Sequence, residues 1–500
     1  MTSTSAGSSP APGIGSGQTR ASTDAGHSSD HGSEAHLKGH MGALSIIFIV
    51  VAAAAPLTVI GGNVALTVAG GNGVGAPAGF LIVAFVLVIF SVGYVTMTPH
   101  VKESGAYYAY IRQAFGQHSG TGAAFLAFVT YTAIEIGIYG FLGGSTAAFV
   151  ESFGGPTIPW WIYAVAAWVI VAALGMASID FSSKILGILM ICEIGVVLVL
   201  DAAVVLRGGA EGITLSTFAP EHVFQSTIGV AILFALTGCI GFEATAIFRD
   251  EARDPDRTIP RATYGAVILI GVFYAISSWL LVLAWGPSNA VAQATDDPNN
   301  FMLGAMEQYV GLTARHVMDV FLITSLFACV LSLHNIATRY QFTLATERYL
   351  PRVFTKVHPK YGSPWTSSLG QSVISLVIVI IFALFDVDPL VNVFGAMAGV
   401  ATTGFLLLLT ATSVAVVVFF ARNPGLESST FKIRTLPSIA TVLLFACLLI
   451  ALANFTLVTA APGWVSVLLA LVPVVAAVGG GVLSWKLAHG ERRSNDSASV

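Results

Sequence analysis

Apolar segments recur along the chain, each of about 20 residues or more, which is long enough for an α-helix to cross a hydrocarbon layer about 30 Å thick. Short polar segments separate them. Twelve such spans cover residues 43–70, 77–99, 122–150, 159–179, 184–206, 226–248, 263–286, 312–345, 367–386, 389–421, 435–460 and 463–487. The pattern predicts an all-α integral membrane protein with twelve transmembrane helices.

The composition supports this prediction. Of the 500 residues, 55% are hydrophobic and only 10% are charged, whereas a soluble chain carries about 25% charged residues. The net charge of -4 adds little, because most charged residues lie between the spans. A soluble globular protein is therefore excluded.

The basic residues lie almost entirely on one side of the predicted bundle. An even number of spans places both termini on the same side. The segments on that side hold all of the 22 basic residues except Arg207 and Arg315. Since Lys and Arg concentrate in cytoplasmic loops, both termini are predicted to be cytoplasmic, with the protein in the cell (plasma or inner) membrane.

Two tails flank the spans. Residues 1–42 are rich in Ser, Gly, Ala and Thr and lack the apolar region of a signal peptide, so a disordered cytoplasmic tail is predicted. Residues 488–500 form a predicted cytoplasmic C-terminal tail. The first tail contains four histidines, which are either solvated or able to bind a metal or sense pH: His27, His31, His36 and His40.

The four cysteines lie inside apolar spans without the spacing of a metal site. They are interpreted as small buried side chains. No disulfide, metal site or cofactor is predicted. The residues concerned are Cys192, Cys239, Cys329 and Cys447.

Two spans are interrupted by residues that weaken a helix. The first span contains Pro56 and Gly61–Gly62, and the sixth contains Gly238 and Gly241. These spans open two halves that are predicted to be related, residues 43–206 and 226–421, with residues 435–487 as two additional spans. Breaks at matching positions of two halves are typical of an inverted-repeat transporter whose site lies at the breaks. The alternative is that these residues serve only helix packing.

Acidic residues inside the spans are a second indication of a site. A charge at the centre of a bilayer costs at least about 2.5 kcal/mol, so it usually faces a cavity or a partner. Glu135 has Tyr131 and Tyr139 one helical turn to either side. It could contact a cationic substrate group, relay a proton or form a structural hydrogen bond.

Two further glutamates are candidates for proton exchange or gating. Glu193 has no basic residue between Lys184 and Arg207 to pair with. Glu243 follows the break of the sixth span on its cytoplasmic side. Two other acids lie near the predicted outer ends of their spans, where they can reach water: Asp201 and Asp319.

Three stretches of sequence resemble one transporter family. GFEATAIFRDEARDPDRTIPRA (241–262), RYQFTLATERYLPRVFTKVHPKYGSPW (339–365) and KESGAYYAYIRQAFG (102–116) occur in the order expected for the amino acid–polyamine–organocation (APC) superfamily of permeases, amino acid permease type. The matches extend over most of the chain. The resemblance implies a LeuT-like fold of two inverted five-helix repeats plus two C-terminal helices.

The resemblance also implies a substrate site. The substrate's carboxylate would meet backbone N–H groups of the first break, and its ammonium would meet backbone carbonyls of both breaks. The residues assigned to binding are Ala54, Ala55, Pro56, Leu57, Thr58, Tyr131, Glu135, Thr237, Gly238, Cys239, Gly241 and Phe394, and those assigned to proton coupling or gating are Glu243 and Glu193.

The chain departs from the family pattern at three places. AAAAPLT stands where many members have a Gly-Ser-Gly break. Thr237, Gly238 and Cys239 stand where a large aromatic residue often precedes the sixth-span glutamate. Glu193 occupies the place at which some members use a lysine, so a lysine-based coupling scheme is not carried over.

The predicted function is secondary active transport of amino acids or related amines by alternating access, coupled to protons. An exchanger without proton coupling, or a channel or sensor on the same scaffold, is the alternative. The expected partners are a small molecule, protons and the lipid bilayer, with no nucleic acid, and the oligomeric state is open. No nucleophile–base set or phosphate-binding motif indicates an enzyme or an ATP-driven pump. The polar pair His334–Asn335 is interpreted as interhelical hydrogen bonding.

Overall fold

A computed structural model describes residues 42–101, 106–177, 183–243, 245 and 252–498. Within these ranges all the regular elements are helices. The predicted N-terminal tail, apart from Gly42, lies outside the described residues, and so does part of the charged segment after Glu243.

The helices are numbered here in chain order. The first seven are α1 (Ala43–Ala53), α2 (Pro56–Gly70), α3 (Gly73–His100), α4 (Ala106–Phe115), α5 (Gln117–Ser152), α6 (Trp160–Met176) and α7 (Ser183–Arg207). The next six are α8 (Ile228–Thr237), α9 (Pro255–Trp285), α10 (Ala290–Asp296), α11 (Phe301–Tyr309), α12 (Leu312–Thr346) and α13 (Trp365–Leu384). The last four are α14 (Pro389–Arg422), α15 (Phe431–Ala453), α16 (Phe455–Thr459) and α17 (Gly463–Ala498). Short helical turns occur at Ser216–Phe218, Pro220–Val223, Pro298–Asn300 and Arg352–Thr355.

The chain is a multi-pass membrane protein. In the part of the chain that is described, nine helices are long and apolar enough to cross a membrane: α3, α5, α7, α9, α12, α13, α14, α15 and α17. Three shorter apolar helices, α2, α6 and α8, accompany them. Every predicted span overlaps at least one helix, while the exact count of twelve spans and their division into repeats stay predictions.

The first predicted span is divided into two helices. α1 ends at Ala53 and α2 begins at Pro56, with Ala54 and Ala55 between them. Proline is suited to the first position of a helix, because its missing N–H would have no intrahelical acceptor there. The helix therefore breaks before Pro56, and Gly61–Gly62 lie instead in a π-helical turn, Val59–Asn63.

The sixth predicted span is also interrupted. α8 ends at Thr237, and residues 238–243 form turns. Gly241 has φ 107°, a backbone conformation that favours glycine because a Cβ is disfavoured there. α9 begins at Pro255, eight residues before the predicted start at 263, because a helix can continue through charged residues that hydropathy assigns to a loop.

Burial separates central from peripheral helices. In the most apolar window of α5, 83% of residues are buried, against 17% in α17. Apolar side chains also cover much of the outer surface, as Phe85 and Val442 illustrate. In a membrane protein such side chains face lipid, so α5 is central in the bundle and α17 is peripheral.

One buried side chain connects the two interrupted segments. Asn63 of α2 donates from Nδ2 to the backbone carbonyl of Phe234 in α8 at 2.8 Å, and its side chain is buried. A satisfied hydrogen bond of this kind contributes about 0.5–1.5 kcal/mol. Asn63 therefore fixes the position of α2 against α8.

We expect Asn63→Ala to lower the free energy of unfolding by about 1 kcal/mol, because it removes this interhelical bond. Unfolding in mixed detergent micelles measures the change. Asn423→Ala is the matched control, since Asn423 directly follows α14 and its side chain donates to the carbonyl of Phe419 in that adjoining helix. Equal stability of Asn63→Ala and the control would contradict the role given to Asn63.

Candidate functional site

A small buried cavity lies where the two interrupted segments meet. Its volume is about 30 Å³, which suffices for one or two water molecules. A larger ligand requires it to widen. Its lining consists of Ala54, Ala55, Thr58, Val59, Asn63, Ile134, Ile138, Thr237, Gly238, Ile240, Cys329, Leu333 and Phe394.

The cavity lining is mainly apolar and has no charged side chain among the residues described. Its polar side chains are Thr58, Asn63 and Thr237. Thr237 Oγ1 donates to the carbonyl of Leu233 and lies 2.5 Å from Oγ1 of Thr402. Thr58 Oγ1 is buried, and within the described structure no hydrogen-bond partner reaches it. The Thr58 hydroxyl is thus available to a ligand, because buried polar groups are normally paired.

The backbone at the first break is strained. Ala55 has φ 46° and ψ 71°, and a left-handed conformation costs a residue with a Cβ about 1–2 kcal/mol. The residue before a proline also prefers an extended conformation. Strain of this kind persists only where the surrounding contacts enforce it, so the packing around the cavity holds Ala55 in place.

Glu193 of α7 stabilises this break. Its carboxylate accepts a hydrogen bond from Oγ of Ser325 in α12 at 2.9 Å, and the backbone of Leu57 lies close to the same carboxylate. The Glu193 side chain is buried. On the other side of the break, the hydroxyl of Tyr274 donates to the carbonyl of Ala54 at 3.4 Å. Side chains from α7 and α9 therefore lie at the backbone groups around Ala55, and Ser325 of α12 holds the α7 side chain in place.

Glu243 stabilises the second break in a similar way. Its carboxylate accepts from the backbone N–H of Gly241 at 2.9 Å and from the hydroxyl of Tyr131 in α5. The hydroxyl of Tyr94 in α3 donates to the backbone carbonyl of Glu243 at 3.2 Å. Tyr131 in turn stacks on Tyr340 of α12, with ring centroids 5.6 Å apart. Glu243 thus joins the turn after α8 to helices α3, α5 and α12.

Glu135 belongs to a separate buried network. His334 Nδ1 lies 3.0 Å from its carboxylate, and Gln371 Nε2 and Ser375 Oγ donate to it at 2.6 and 3.0 Å. His334 Nε2 lies 2.9 Å from Oγ of Ser368. The network joins α5, α12 and α13. The sequence interpretation placed His334 in interhelical hydrogen bonding but did not name Glu135 as its partner.

The predicted binding residues are distributed around the cavity. Six of them line it: Ala54, Ala55, Thr58, Thr237, Gly238 and Phe394. The other six binding residues lie outside the lining, and so do the two residues assigned to proton coupling or gating: Pro56, Leu57, Tyr131, Glu135, Cys239 and Gly241, with Glu193 and Glu243. The substrate roles given to both sets stay predictions.

The sequence interpretation missed seven residues of the lining. Two pairs among them, Ile134–Ile138 and Cys329–Leu333, have the i, i+4 spacing of one helix face, but apolar pairs of this kind occur throughout the chain. Asn63 had a clearer signal, since it is a polar side chain within an apolar span. The missed residues are Val59, Asn63, Ile134, Ile138, Ile240, Cys329 and Leu333.

A metal site has no support in the described ranges, where no group of three or more His, Cys, Asp or Glu side chains is placed to bind an ion. The polar groups at the cavity are hydroxyls, an amide and the backbone at the two breaks. Such an arrangement binds and orients a small polar molecule.

The arrangement of the helices is similar to the LeuT-like fold. The solved structure of MhsT in complex with L-phenylalanine is similar to this chain, with a TM-score of 0.57 and 15% identity over 81% of this chain and 98% of that one. The family model for amino acid permeases matches residues 41–478. The chain therefore belongs to the amino acid permease family.

Two relatives illustrate the range of the family. The chain is 22% identical to the serine/threonine exchanger SteT of Bacillus subtilis (strain 168) over 56% of this chain and 63% of SteT. It is 25% identical to the low-affinity putrescine importer PlaP of Escherichia coli (strain K12) over 48% of this chain and 54% of PlaP. The match thus covers less than two thirds of either relative.

The buried network predicts a large loss of stability in Glu135→Ala. The substitution leaves His334, Gln371 and Ser375 without their common acceptor, and each buried polar group left unpaired costs about 1–3 kcal/mol. Unfolding in mixed detergent micelles measures the loss. Glu151→Ala, at an exposed position of the same helix, is the control. A Glu135→Ala chain as stable as this control would exclude a structural role for the network.

Proposed function

We propose that the protein is a secondary active transporter for amines or amino acids that works by alternating access and is coupled to protons. One observation carries the proposal: the breaks before Pro56 and after Thr237 border the same buried cavity. Helix breaks expose backbone N–H and C=O groups that a polar substrate can bind. The protein would act in the cell membrane, with both termini in the cytoplasm.

The dimensions of the cavity support alternating access. A volume of about 30 Å³ is smaller than any amino acid, so binding must separate the helices that surround the cavity. The two breaks are suitable hinges, because a few residues at the end of an element can absorb a large change in φ and ψ. The two repeats, residues 43–206 and 226–421, would supply one hinge each.

Glu243 is the proposed proton-binding group. Its carboxylate holds Tyr131 and the N–H of Gly241 together, and hydrogen bonds to a charged carboxylate are stronger than those to a neutral one. Protonation of Glu243 would therefore weaken its contact with α5. Proton binding and movement of the segment after α8 would be linked in this way.

Exchange without net proton movement is the second candidate. The observation that favours it is the similarity to SteT, which is named as an exchanger. A protein of this type moves substrate only against a counter-substrate, so it accumulates nothing when only a proton gradient is present.

The test is uptake into proteoliposomes of the purified protein, with labelled amino acids and amines, in the presence and absence of an inward proton gradient. We expect gradient-driven accumulation by the wild type and its loss in Glu243→Gln, because the amide cannot bind the proton. Counterflow should survive in Glu243→Gln, since the amide can still accept a hydrogen bond. No accumulation under the gradient in either chain, with counterflow intact in both, would refute proton coupling and favour exchange.

Tyr131→Phe tests the same link from the other helix. The substitution removes the hydroxyl that donates to Glu243 and leaves the ring in place against Tyr340. We expect the gradient-driven part of uptake to fall several-fold, because a charged hydrogen bond contributes about 1.5–3 kcal/mol. Tyr139→Phe is the control, since Tyr139 is buried on the same helix and no described group pairs with its hydroxyl. Equal uptake by both variants would remove Tyr131 from the mechanism.

A further inference from the structure

The N-terminal end of α2 is already occupied by a carboxylate of the protein itself. Free N–H groups and the helix dipole make the start of a helix attractive to anions. In this structure the Leu57 backbone at that start lies close to the carboxylate of Glu193, which Ser325 of α12 holds by a hydrogen bond of 2.9 Å. The negative charge that a substrate carboxylate would bring is therefore already present, from a side chain of α7.

The partners of Glu193 leave its negative charge without a counter-charge. Its hydrogen-bond donor, the Ser325 hydroxyl, and the nearby backbone of Leu57 are neutral groups. The cavity lining as described contains no basic side chain either. A buried carboxylate in such surroundings is stabilised by a cation brought close to it.

Glu193 is not part of the cavity lining, but the residues beside it adjoin residues of that lining. Its neighbour Leu57 precedes Thr58, and Thr58 lines the cavity with a buried hydroxyl that has no described partner. Cys329, another lining residue, lies one helical turn from Ser325 on α12. A ligand that reaches Thr58 would therefore lie near the Glu193 carboxylate.

We propose that Glu193 sets the substrate class of the proposed transport function, by selecting small amines that lack a carboxylate. The ammonium of such a substrate would supply the counter-charge to Glu193, and the hydroxyl of Thr58 would accept a hydrogen bond from it. The apolar wall formed by Ile134, Ile138 and Leu333 would contact the carbon chain. A substrate carboxylate would have to bind at the start of α2, where the like charge of Glu193 would repel it.

Like charges in a low-dielectric site oppose each other strongly, whereas opposite charges attract. An amino acid would thus be disfavoured relative to the amine of the same carbon skeleton. This inference rests on the proposed transport function but is separable from it, because an amino acid carrier with the same fold would transport the other member of each pair.

The experiment compares three matched pairs that differ only in the carboxylate: ethanolamine with serine, isobutylamine with valine, and putrescine with ornithine. Counterflow in proteoliposomes and thermal stabilisation of the purified protein are measured with each of the six compounds. Wild type, Glu193→Gln and Asp201→Asn are compared. Glutamine retains an acceptor for Ser325 without the charge. Asp201 is a buried carboxylate of the same helix that accepts from Ser277 at 2.7 Å, away from the cavity.

We expect the wild type and Asp201→Asn to prefer the amine over its amino acid partner at least about tenfold, in at least one pair, which corresponds to about 1.4 kcal/mol. Glu193→Gln should reduce that preference to within about threefold by weakening amine transport and improving that of the amino acid. Preference of the wild type for the amino acids, or an unchanged ratio in Glu193→Gln, overturns the inference and leaves the proposed function standing. If none of the six compounds gave counterflow or stabilised the protein, the inference and the proposed transport function would both be overturned.

Discussion

The structure depends on how the backbone N–H and C=O groups at two helix breaks find hydrogen-bond partners inside an apolar bundle. Water is scarce there, and each unpaired N–H or C=O costs several kcal/mol. Side chains from other helices lie at these backbone groups instead of water. Tyr274 donates to the carbonyl of Ala54, Glu193 lies close to the backbone of Leu57, and Glu243 accepts from the N–H of Gly241. Each broken segment is therefore fixed by contacts that a rearrangement could exchange for contacts with a substrate.

The two buried carboxylates at the breaks differ in what they connect. Glu243 links its segment to Tyr131 and so to the stacked Tyr340. Glu193 links the start of α2 to Ser325. In the account proposed here, the first responds to protons and the second recognises charge on the substrate. The third carboxylate, Glu135, is enclosed by His334, Gln371 and Ser375, an arrangement that suits a rigid support for the moving segments.

The apolar spans and both breaks could be predicted from the sequence because their causes are local. A proline that lacks an N–H and glycines within a span disfavour a continuous helix whatever surrounds them. The position of the first break was less clear, since Gly61–Gly62 were equally plausible and proved to lie in a π-helical turn. The long start of α9 was missed because hydropathy does not detect a helix that continues beyond the apolar region.

The partners of the buried acids could not be predicted, because they depend on which helices come together. Glu135 and His334 are 199 residues apart, and nothing in their local sequence pairs them. The same holds for Asn63 and Phe234, 171 residues apart. Apolar cavity residues such as Cys329 resemble any other core position, so only packing identifies them.

The central claim is that substrate binds in the cavity between the two breaks. Cys329 lines that cavity, and it can serve as a reporter in a chain with Cys192→Ser, Cys239→Ser and Cys447→Ser. The measurement is its rate of modification by N-ethylmaleimide in proteoliposomes, with and without a saturating transported compound. A chain that retains only Cys447 provides the comparison. The account predicts that substrate slows modification of Cys329 several-fold and leaves Cys447 unaffected; an unchanged rate at Cys329 would contradict it.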